Sequence, residues 1–242
     1  MALRSLSVFF PMYNERQNIL HTLDATENVL AGLGIPDYEI VVVDDGSQDG
    51  CDELVQQRAQ LNKHIRMVRH PHNMGYGVAL KTGFTQSIKE AVFYTDSDLP
   101  ADLNDLARAI PLLEEADLVI GYRVERFETF RRAIYSRINH ILMVMLFGVR
   151  VRDINFSFKL VRQQVLQQIH LTANTGFIDG QLLAEAVQHG FKIVEIPIVY
   201  TPRRFGRSSF DSFHVAWGHL VEMSSYWLAS FFRRARYPSY TE

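Results

Sequence analysis

The feature that most constrains the fold is the alternation of short apolar runs with longer segments of helical spacing in the first half of the chain. Residues 6–10, 38–43, 65–69, 91–95 and 117–121 are rich in valine, isoleucine or phenylalanine, which is typical of buried strands. Such alternation predicts an α/β fold, in which a mostly parallel central sheet is flanked by helices and joined by right-handed crossovers.

The second half of the chain is less regular. Apolar spacing predicts helices over 129–147, 164–169, 180–189 and 213–232, and strands over 156–161 and 193–200. Pro197 lies within the last of these strands, and a proline cannot donate to a sheet ladder. We therefore expect this strand at an edge of the sheet or at a bulge. Residues 103–115 are predicted as a helix that Pro111 ends or kinks.

Polar motifs follow the first four predicted strands. These motifs read PMYNE, DDGS, HNMGYG and DSD, in chain order. In open parallel sheets, ligands bind beyond the carboxyl ends of the strands. The sequence therefore predicts one binding site at the edge where the four motifs converge.

The DSD motif places Asp96 and Asp98 at the end of an apolar run. A turn that caps the next helix is one interpretation, because aspartate and serine favour turns. The other is a site for Mg²⁺ or Mn²⁺, which bind through one or two carboxylates together with the phosphate oxygens of a ligand. The position of the motif at the edge of a parallel sheet favours the metal site.

The DDGS motif brings Asp44 and Asp45 to the end of the second strand. These carboxylates are suited to accept a base N–H or a ribose hydroxyl, as acidic residues do at comparable strand ends. A helix N-cap formed by Ser47 and Asp49 is compatible with that role. The glycines of the GYG motif at 75–77 allow close approach of a ligand. The third glycine of a dinucleotide fingerprint is missing, which argues against an NAD-dependent enzyme.

The four motifs together, quoted in full as FPMYNE, VVVDDGSQDG, HNMGYGVALKTGF and YTDSDLP, resemble glycosyltransferase family 2, whose members have the GT-A fold. Later segments extend the resemblance to the branch that contains the dolichyl-phosphate mannose synthases and related polyprenyl-phosphate sugar transferases. These segments are GYR at 121–123, Arg132 with Ser136 and Asn139, RDINFSFKL, and FIDGQLLAEAVQHGFKIVEIPIVYTPRRFGRSS. The resemblance covers residues 5 to about 210.

The resemblance implies site residues position by position. The nucleotide-sugar site would comprise Pro11, Tyr13, Glu15, Asp44, Asp45, Asp96 and Arg123. Asp96 would face the nucleotide, and Asp96 and Asp98 would hold the Mg²⁺ or Mn²⁺ ion. The residues expected to act in catalysis are Asp98, Asp179, Arg203 and Arg132. Of these, Arg203 would bind phosphate, and Arg132 would lie near the acceptor or the diphosphate, as would Arg123.

Three positions depart from the family pattern. Ser209 replaces a phosphate-binding lysine, Gln181 replaces a glutamate, and Ser157 replaces a glycine. These departures affect the acceptor more than the donor.

The resemblance implies an inverting, metal-dependent transfer of a sugar from a GDP- or UDP-sugar to a polyprenyl (dolichyl-type) phosphate. An acceptor hydroxyl on a soluble glycan, lipid or protein is an alternative that needs a general base, for which Asp179 is the candidate. A second alternative is a GT-A domain that binds nucleotide-sugars without turnover.

The C-terminal segment suggests how the protein associates with a membrane. We expect a GT-A domain over 1–210 and an amphipathic helical extension over 211–242, whose aromatic stripe and FFRRAR sequence suit an anionic membrane surface. A helix packed on the sheet and a dimer contact are the alternatives.

The sequence has one cysteine, Cys51, and no apolar run of the ~20 residues that cross a bilayer. No signal peptide is recognisable at the N-terminus. We expect a cytoplasmic, peripheral protein.

The overall charge of the chain argues against nucleic-acid binding. The formal net charge is −2 and the isoelectric point is about 6.5. A domain that binds nucleic acid usually carries a basic face and a higher isoelectric point. We therefore expect no nucleic-acid partner.

Overall fold

A computed structural model describes residues 3–125, 130–201 and 213–236. The strands are β1 Ser5–Met12, β2 Asp37–Asp44, β3 Ile65–Arg69, β4 Ala91–Tyr94, β5 Leu118–Arg123, β6 Lys159–Arg162 and β7 Ile193–Ile198. The helices are α1 Ile19–Leu33, α2 Cys51–Leu61, α3 Tyr76–Gln86, α4 Leu106–Ala109, α5 Phe130–Phe147, α6 Gln163–Gln168, α7 Phe177–Gln188 and α8 Phe213–Arg236.

The strands form one seven-stranded sheet in the order β3-β2-β1-β4-β6-β5-β7. β1 is parallel to β2 and to β4, β2 is parallel to β3, and β5 is parallel to β7. β6 runs antiparallel to both of its neighbours, β4 and β5. The prediction of a mostly parallel α/β sheet is confirmed, and Pro197 lies in β7 at the edge of the sheet, as expected.

Several predicted bounds differ from the structure: α7 begins at Phe177 rather than at residue 180, and α8 ends at Arg236 rather than at residue 232. The segment predicted as one helix over 103–115 consists of 3-10 turns at Leu103–Asp105 and Ile110–Glu114 on either side of the short α4. Pro111 lies in the first turn of the second 3-10 helix, where its missing N–H costs no helical hydrogen bond. β6 begins at Lys159 rather than at residue 156, so residues 156–158 lead into the strand from outside the ladder.

Side chains on alternate strand positions fill two separate cores, one on each face of the sheet. Phe9 and Val41 belong to one core, whereas Phe10 and Val42 belong to the other. The Phe9 ring stacks on Tyr94 at a centroid distance of 5.4 Å and meets Phe84 edge-on at 5.0 Å. Burial of one such ring contributes roughly 1.5–3 kcal/mol, so these contacts stiffen the sheet close to its carboxyl edge.

Helix α8 packs onto α5 and α7. Met223 and Tyr226 are buried in the same core as the inner faces of those helices, and the Tyr226 hydroxyl donates to Glu185. His219 Nε2 lies 3.1 Å from Asn139 Oδ1. The predicted division at 210–211 falls outside the described residues and remains a prediction. Among the described residues, no helix combines the length and hydropathy that crossing a bilayer requires.

Candidate active site

The carboxyl ends of β1, β2, β3 and β4 lie side by side, because these four strands are parallel neighbours. The segments that follow them are PMYNE, DDGS, HNMGYG and DSD. We call this edge of the sheet, formed by residues 12–16, 44–49, 70–77 and 95–99, the motif edge. The four motifs lie together at this edge because the four strands that precede them run in the same direction.

Hydrogen bonds join the first two loops of the motif edge. The backbone N–H of Asn14 donates to Ser47 Oγ at 2.9 Å, and the N–H of Gln48 donates to Asn14 Oδ1 at 2.9 Å. Asn14 has a φ of 55°, which asparagine tolerates better than most residues. The N–H of Asp45 donates to the carbonyl of Met12 at 2.8 Å. The PMYNE and DDGS segments therefore form one continuous surface.

The carboxylate of Asp45 anchors the third loop. It lies 2.7 Å from His70 Nδ1 and accepts hydrogen bonds from the backbone N–H groups of Met74 at 2.8 Å and Gly75 at 2.9 Å. The side chain is buried. These contacts fix the start of α3 against the DDGS loop, so Asp45 positions backbone for whatever binds there. Its direct contact with a nucleotide remains a prediction.

Asp44 is fully buried beneath the same loop. Its Oδ1 accepts from the N–H of Ser47 at 3.0 Å, and its Oδ2 lies 3.2 Å from Arg69 Nε. Gly46 follows with a φ of 76°, and a Cβ there would lie 2.5 Å from the backbone of His72. Only glycine fits at this position, because both the backbone conformation and the neighbouring loop exclude a side chain.

The third loop also contacts the C-terminal half of the chain. The N–H of Gly77 donates to the carbonyl of Asn174 at 3.2 Å, and a Cβ on Gly77 would lie 2.3 Å from that carbonyl carbon. Glu222 of α8 in turn accepts from the N–H groups of Asn174 at 2.7 Å and Thr175 at 3.0 Å. These contacts thus connect α8 with the motif edge through residues 174 and 175.

The residues expected to bind the base and ribose lie along β1 and the loop after it. Pro11 is buried, Tyr13 is 42% exposed, and Glu15 is buried with Oε2 2.6 Å from Asn18 Nδ2. The exposed ring of Tyr13 is available for stacking with a base. The roles of these three residues remain predictions.

Asp96 and Asp98 project from a tight turn after β4. The N–H of Leu99 donates to the carbonyl of Asp96 at 3.1 Å, and Leu99 has a φ of 50°. The hydroxyl of Thr22 donates to the carbonyl of Ser97 at 2.6 Å and ties the turn to α1. A leucine in the left-handed region is strained by roughly 1–3 kcal/mol, and such strain concentrates at functional sites. The turn interpretation and the metal interpretation are therefore compatible.

The surroundings of Asp96 favour binding of a cation next to its carboxylate. Burial and the neighbouring carboxylate of Asp98 raise the pKa of Asp96 to about 7, although hydrogen bonds from Ser157 and Tyr76 oppose that shift. The Tyr76 hydroxyl lies 3.2 Å from Asp96 Oδ1. A divalent cation would offset the repulsion between the two carboxylates, so the residues present fit Mg²⁺ or Mn²⁺. No group of three or more His, Cys, Asp or Glu side chains suited to a metal exists within the described ranges, so the remaining ligands would be phosphate and water oxygens.

Asp179 lies behind the motif edge, in the first turn of α7. It is buried, and its Oδ1 accepts from Lys159 Nζ at 2.6 Å and from the hydroxyl of Tyr94. Burial raises the pKa of Tyr94 and of Tyr76 well above the usual value, so both phenols keep their protons and act as donors. Lys159 was not among the residues predicted for the site. A lysine within the apolar run FSFKLV was the signal that could have identified it.

Arg123 lies on the other side of β6. Its guanidinium binds Asp153 with two contacts, Nε to Oδ2 at 2.7 Å and Nη2 to Oδ1 at 3.2 Å. It also lies over the rings of Phe156 and Tyr200, at 5.6 Å and 5.8 Å from their centroids. Asp153 was not predicted either, and its position directly after Arg152 in the RDINFSFKL segment was the available signal.

A cleft of about 530 Å³ opens next to this ion pair, between α5 and the segment 152–155. Its lining includes Ser136, Arg137, His140, Arg152, Asp153 and Asn155. Arg132 lies in α5, one turn before Ser136, but its side chain is outside the described residues, as is the whole of Arg203. Their predicted roles therefore remain predictions.

Two of the three departures from the family pattern have a structural explanation. Gln181 Oε1 accepts from the N–H groups of Thr172 and Ala173, at 2.9 Å and 2.8 Å, while its Nε2 donates to the carbonyl of His170 and the hydroxyl of Thr172. A glutamate could not make the last two bonds. Ser157 is buried, and its hydroxyl lowers the pKa of Asp96. Ser209 lies outside the described residues.

Known proteins resemble this chain in sequence. The chain is 28% identical over 221 residues to the polyprenol monophosphomannose synthase of Mycolicibacterium smegmatis, a match that covers 86% of this chain and 82% of that protein. It is 26% identical over 212 residues to the undecaprenyl-phosphate 4-deoxy-4-formamido-L-arabinose transferase of Pectobacterium carotovorum, covering 86% of this chain and 63% of that protein.

Solved structures share the fold. A mannosyltransferase from Pyrobaculum calidifontis, solved with GDP-Man and Mn²⁺, superposes with a TM-score of 0.66 at 20% identity, over 95% of this chain and 65% of that chain. The glucosyl-3-phosphoglycerate synthase of Mycobacterium tuberculosis gives a TM-score of 0.69 at 19% identity, over 92% of this chain and 79% of that chain. These likenesses confirm the GT-A fold. Residues 7–170 match the family described as Glycosyl transferase family 2, so the chain belongs to this family and is a glycosyltransferase.

Proposed function

We propose that the protein transfers a sugar, with inversion, from a nucleoside diphosphate sugar to a polyprenyl phosphate, in a reaction that depends on Mg²⁺ or Mn²⁺. The convergence of DDGS and DSD on the motif edge is the observation that carries the donor half of this proposal. The names of the two curated relatives, one a polyprenol monophosphomannose synthase and the other an undecaprenyl-phosphate sugar transferase, support the acceptor half.

The donor would lie along the motif edge, with Tyr13 and Glu15 near the base and Asp96 and Asp98 near the diphosphate. A bound Mg²⁺ or Mn²⁺ ion supplies positive charge that stabilises the leaving nucleoside diphosphate. Asp96 and Asp98 would hold that ion. Asp44 and Asp45 would keep the loops in place, because their carboxylates are engaged by protein donors.

The contacts of Asp179 favour a phosphate acceptor over a hydroxyl. A hydroxyl nucleophile needs a base within hydrogen-bond reach. The Oδ1 of Asp179 is already occupied by the ammonium of Lys159 and the hydroxyl of Tyr94, deep in the protein. A phosphate is an anion at neutral pH and needs positioning by cations instead. Arg137 and Arg152 line the cleft next to Arg123 and are the described cations suited to that task.

A transfer assay tests the proposal. Purified protein is incubated with Mn²⁺, a panel of radiolabelled GDP- and UDP-sugars, and a short polyprenyl phosphate. The matched control is the same polyprenol without its phosphate. We expect a labelled lipid product only with the phosphate, and none when EDTA is added. Product from the polyprenol alone would favour a hydroxyl acceptor, whereas no product and no metal-dependent nucleotide binding would contradict catalysis.

We propose further that the protein works on the cytoplasmic face of a membrane and that α8 makes the contact. Exposed apolar side chains on this helix are Trp217, Val221, Leu228, Phe231 and Phe232. Such a stripe suits the boundary between headgroups and acyl chains. The single cysteine, buried Cys51, fits a reducing compartment.

Sedimentation with liposomes that contain anionic lipid tests this contact. The double variant Trp217→Ser/Phe231→Ser should bind at least about tenfold less lipid than the unaltered protein. Leu61→Ser is the matched control, because Leu61 is 83% exposed on α2, away from α8. Equal binding by all three proteins would contradict a role for α8.

A further inference from the structure

Two polar side chains at the start of the antiparallel strand β6 lie behind the motif edge. Ser157 lies in a bend just before β6, and Lys159 is the first residue of that strand. Both are buried, with exposures of 2% and 0%. The Ser157 hydroxyl lowers the pKa of Asp96, and Lys159 Nζ binds Asp179 Oδ1 at 2.6 Å. One short segment thus contacts a residue of the predicted metal site and the acidic residue behind it.

Lys159 is completely enclosed by its partners. Its ammonium lies 2.6 Å from Asp179 Oδ1, 2.7 Å from the carbonyl of Phe156 and 3.5 Å from the hydroxyl of Tyr94. A lysine loses its hydration when it is buried, and it stays charged only where such contacts replace the lost water. An apolar residue would fill this position in the sheet without that cost. The presence of a lysine here therefore indicates a task for its charge.

The contacts continue from Lys159 to the motif edge. The Tyr94 hydroxyl donates to Asp179 and lies 3.5 Å from the Tyr76 hydroxyl, which donates to Asp96 at 3.2 Å. The buried end of this network carries a cation, and the other end carries the carboxylate pair Asp96 and Asp98. Hydrogen-bond networks in a low-dielectric interior strengthen each other and hold their members in one arrangement.

We propose that Ser157 and Lys159 are positioning residues that hold Asp96 in the orientation required for a divalent cation and a nucleoside diphosphate. Ser157 does so directly, and Lys159 does so through Asp179, Tyr94 and Tyr76. This inference rests on the proposed donor chemistry. It assigns a task to Ser157, at a position where the family pattern has a glycine, and to Lys159, which is too deeply buried to touch a substrate.

Calorimetric titration of the full chain with GDP and UDP, at saturating Mn²⁺, tests the inference without an activity assay. Ser157→Ala should weaken the Mn²⁺-dependent affinity about tenfold, since it removes a hydroxyl that favours the charged form of Asp96. Lys159→Met should weaken it by more than about tenfold, whereas Lys159→Arg, which keeps the charge, should recover most of the loss. The thermal midpoint of each variant is measured in parallel.

Two matched controls separate positioning from folding. Ser87 is fully buried and donates to the carbonyl of Gly83 at 2.8 Å, so Ser87→Ala removes a comparable hydroxyl outside the network. The double variant Lys159→Met/Asp179→Asn removes the buried charges together, which typically restores much of the stability that one lone charge costs. We expect Ser87→Ala to keep full affinity. We expect the double variant to recover its thermal midpoint but not its affinity.

The outcomes distinguish this inference from the proposed function. If the unaltered protein binds neither nucleoside diphosphate in the presence of Mn²⁺, the proposed donor chemistry is wrong and the inference falls with it. If the unaltered protein binds but Ser157→Ala binds equally well, the direct role of Ser157 is wrong. Full recovery of affinity in the double variant would show that Lys159 acts only on stability. Should Lys159→Met fail to fold, Ser157→Ala and Lys159→Arg still decide the question.

Discussion

The two sides of β6 are built in different ways. On the side of β1–β4, neighbouring loops are joined by hydrogen bonds in which buried carboxylates accept from backbone N–H groups, as Asp45 does from Met74 and Gly75. On the side of β5, the contacts of Arg123 are an ion pair with Asp153 and a ring contact with Phe156, both between side chains. Backbone-to-side-chain bonds fix a surface before a ligand arrives, whereas paired side chains can exchange partners when an anion enters. The proposed donor side, that of β1–β4, is therefore preorganised, and the proposed acceptor side, that of β5, is adjustable.

The largest expected effect tests the centre of the donor side. Asp98→Ala should lower metal-dependent turnover by at least about 1000-fold, because the variant removes a proposed ligand of the cation that stabilises the leaving group. The thermal midpoint should change little, since Asp98 is only partly buried. Asp102→Ala is the control, because Asp102 caps the next 3-10 turn through the N–H of Asn104. Activity retained in Asp98→Ala would show that the cation binds elsewhere.

A smaller effect should follow loss of the carboxylate that anchors the third loop. Asp45→Asn replaces an acceptor of three contacts by an amide with one acceptor oxygen. We expect the KM for the donor to rise about thirtyfold and the KM for the acceptor to change by less than about twofold. Steady-state kinetics with each substrate varied in turn measures both. Asp49→Asn, on the same loop but less buried, is the control. A rise in both KM values would contradict the division into two sides.

The acceptor side should respond to loss of its ion pair. Asp153→Asn removes the charge that holds Arg123 and should raise the KM for the polyprenyl phosphate about tenfold, because the guanidinium loses its fixed orientation. Calorimetry should find the affinity for the nucleoside diphosphate within about twofold of that of the unaltered protein. Asp105→Asn, which breaks a surface pair with Arg108, should change neither value. A loss of nucleotide affinity in Asp153→Asn would place Arg123 on the donor side instead.

The smallest effect concerns pH and the contact between α5 and α8. Burial lowers the pKa of His219 to about 4, although the carboxylates of Asp179 and Glu222 oppose the shift. An unfolded histidine titrates near 6.5, so the unfolded chain binds the proton more tightly. Stability is therefore complete above about pH 6.5 and declines as the pH falls toward 4. Between about pH 7.5 and pH 5.5, we expect His219 to contribute a loss of about 1 kcal/mol to the free energy of unfolding. The raised pKa of Asp96 acts in the opposite direction over this interval, so the His219 contribution is measured as a difference from a variant that lacks the imidazole.

Denaturant unfolding at the two pH values measures this loss. His219→Gln keeps a donor toward Asn139 but cannot be protonated, so the unaltered protein should lose about 1 kcal/mol of stability relative to this variant over the same interval. Tyr135 and Phe177 pack on the imidazole ring, and neither is a charged group. An equal pH dependence in both proteins would show that His219 does not titrate as its burial predicts.

The donor side could be predicted from the sequence because its information is local. Each motif directly follows an apolar run, and the parallel order of β1–β4 brings the four motifs to one edge whatever the rest of the chain does. DSD and DDGS could therefore be assigned to one site from the amino-acid sequence alone. The turn at Leu99 and the buried position of Asp45 were not predictable, since both depend on contacts with other loops.

The residues behind the motif edge and on the side of β5 depend on contacts between distant segments. Lys159 and Asp179 lie in different elements, and only the antiparallel direction of β6 brings the lysine behind β4. Gln181 was interpreted as a lost acidic residue that bears on the acceptor. Its amide holds residues 170–173, a contact that the sequence pattern does not reveal, and its bearing on the acceptor stays a prediction. The roles of Arg132 and Arg203 stay predictions, because their side chains lie outside the described residues.

The position of β6 also has a consequence for how the chain folds as it is made. β1–β4 can assemble from the first 94 residues, because they pair only with one another and, at β4, with β6. β5 pairs with β6 and β7, so it has no partner in the sheet until residues 159–162 have left the ribosome. Until then β4 presents an open edge, to which another unfinished chain can add. The arrival of one short strand, β6, therefore decides when the edge at β4 is covered in a growing chain.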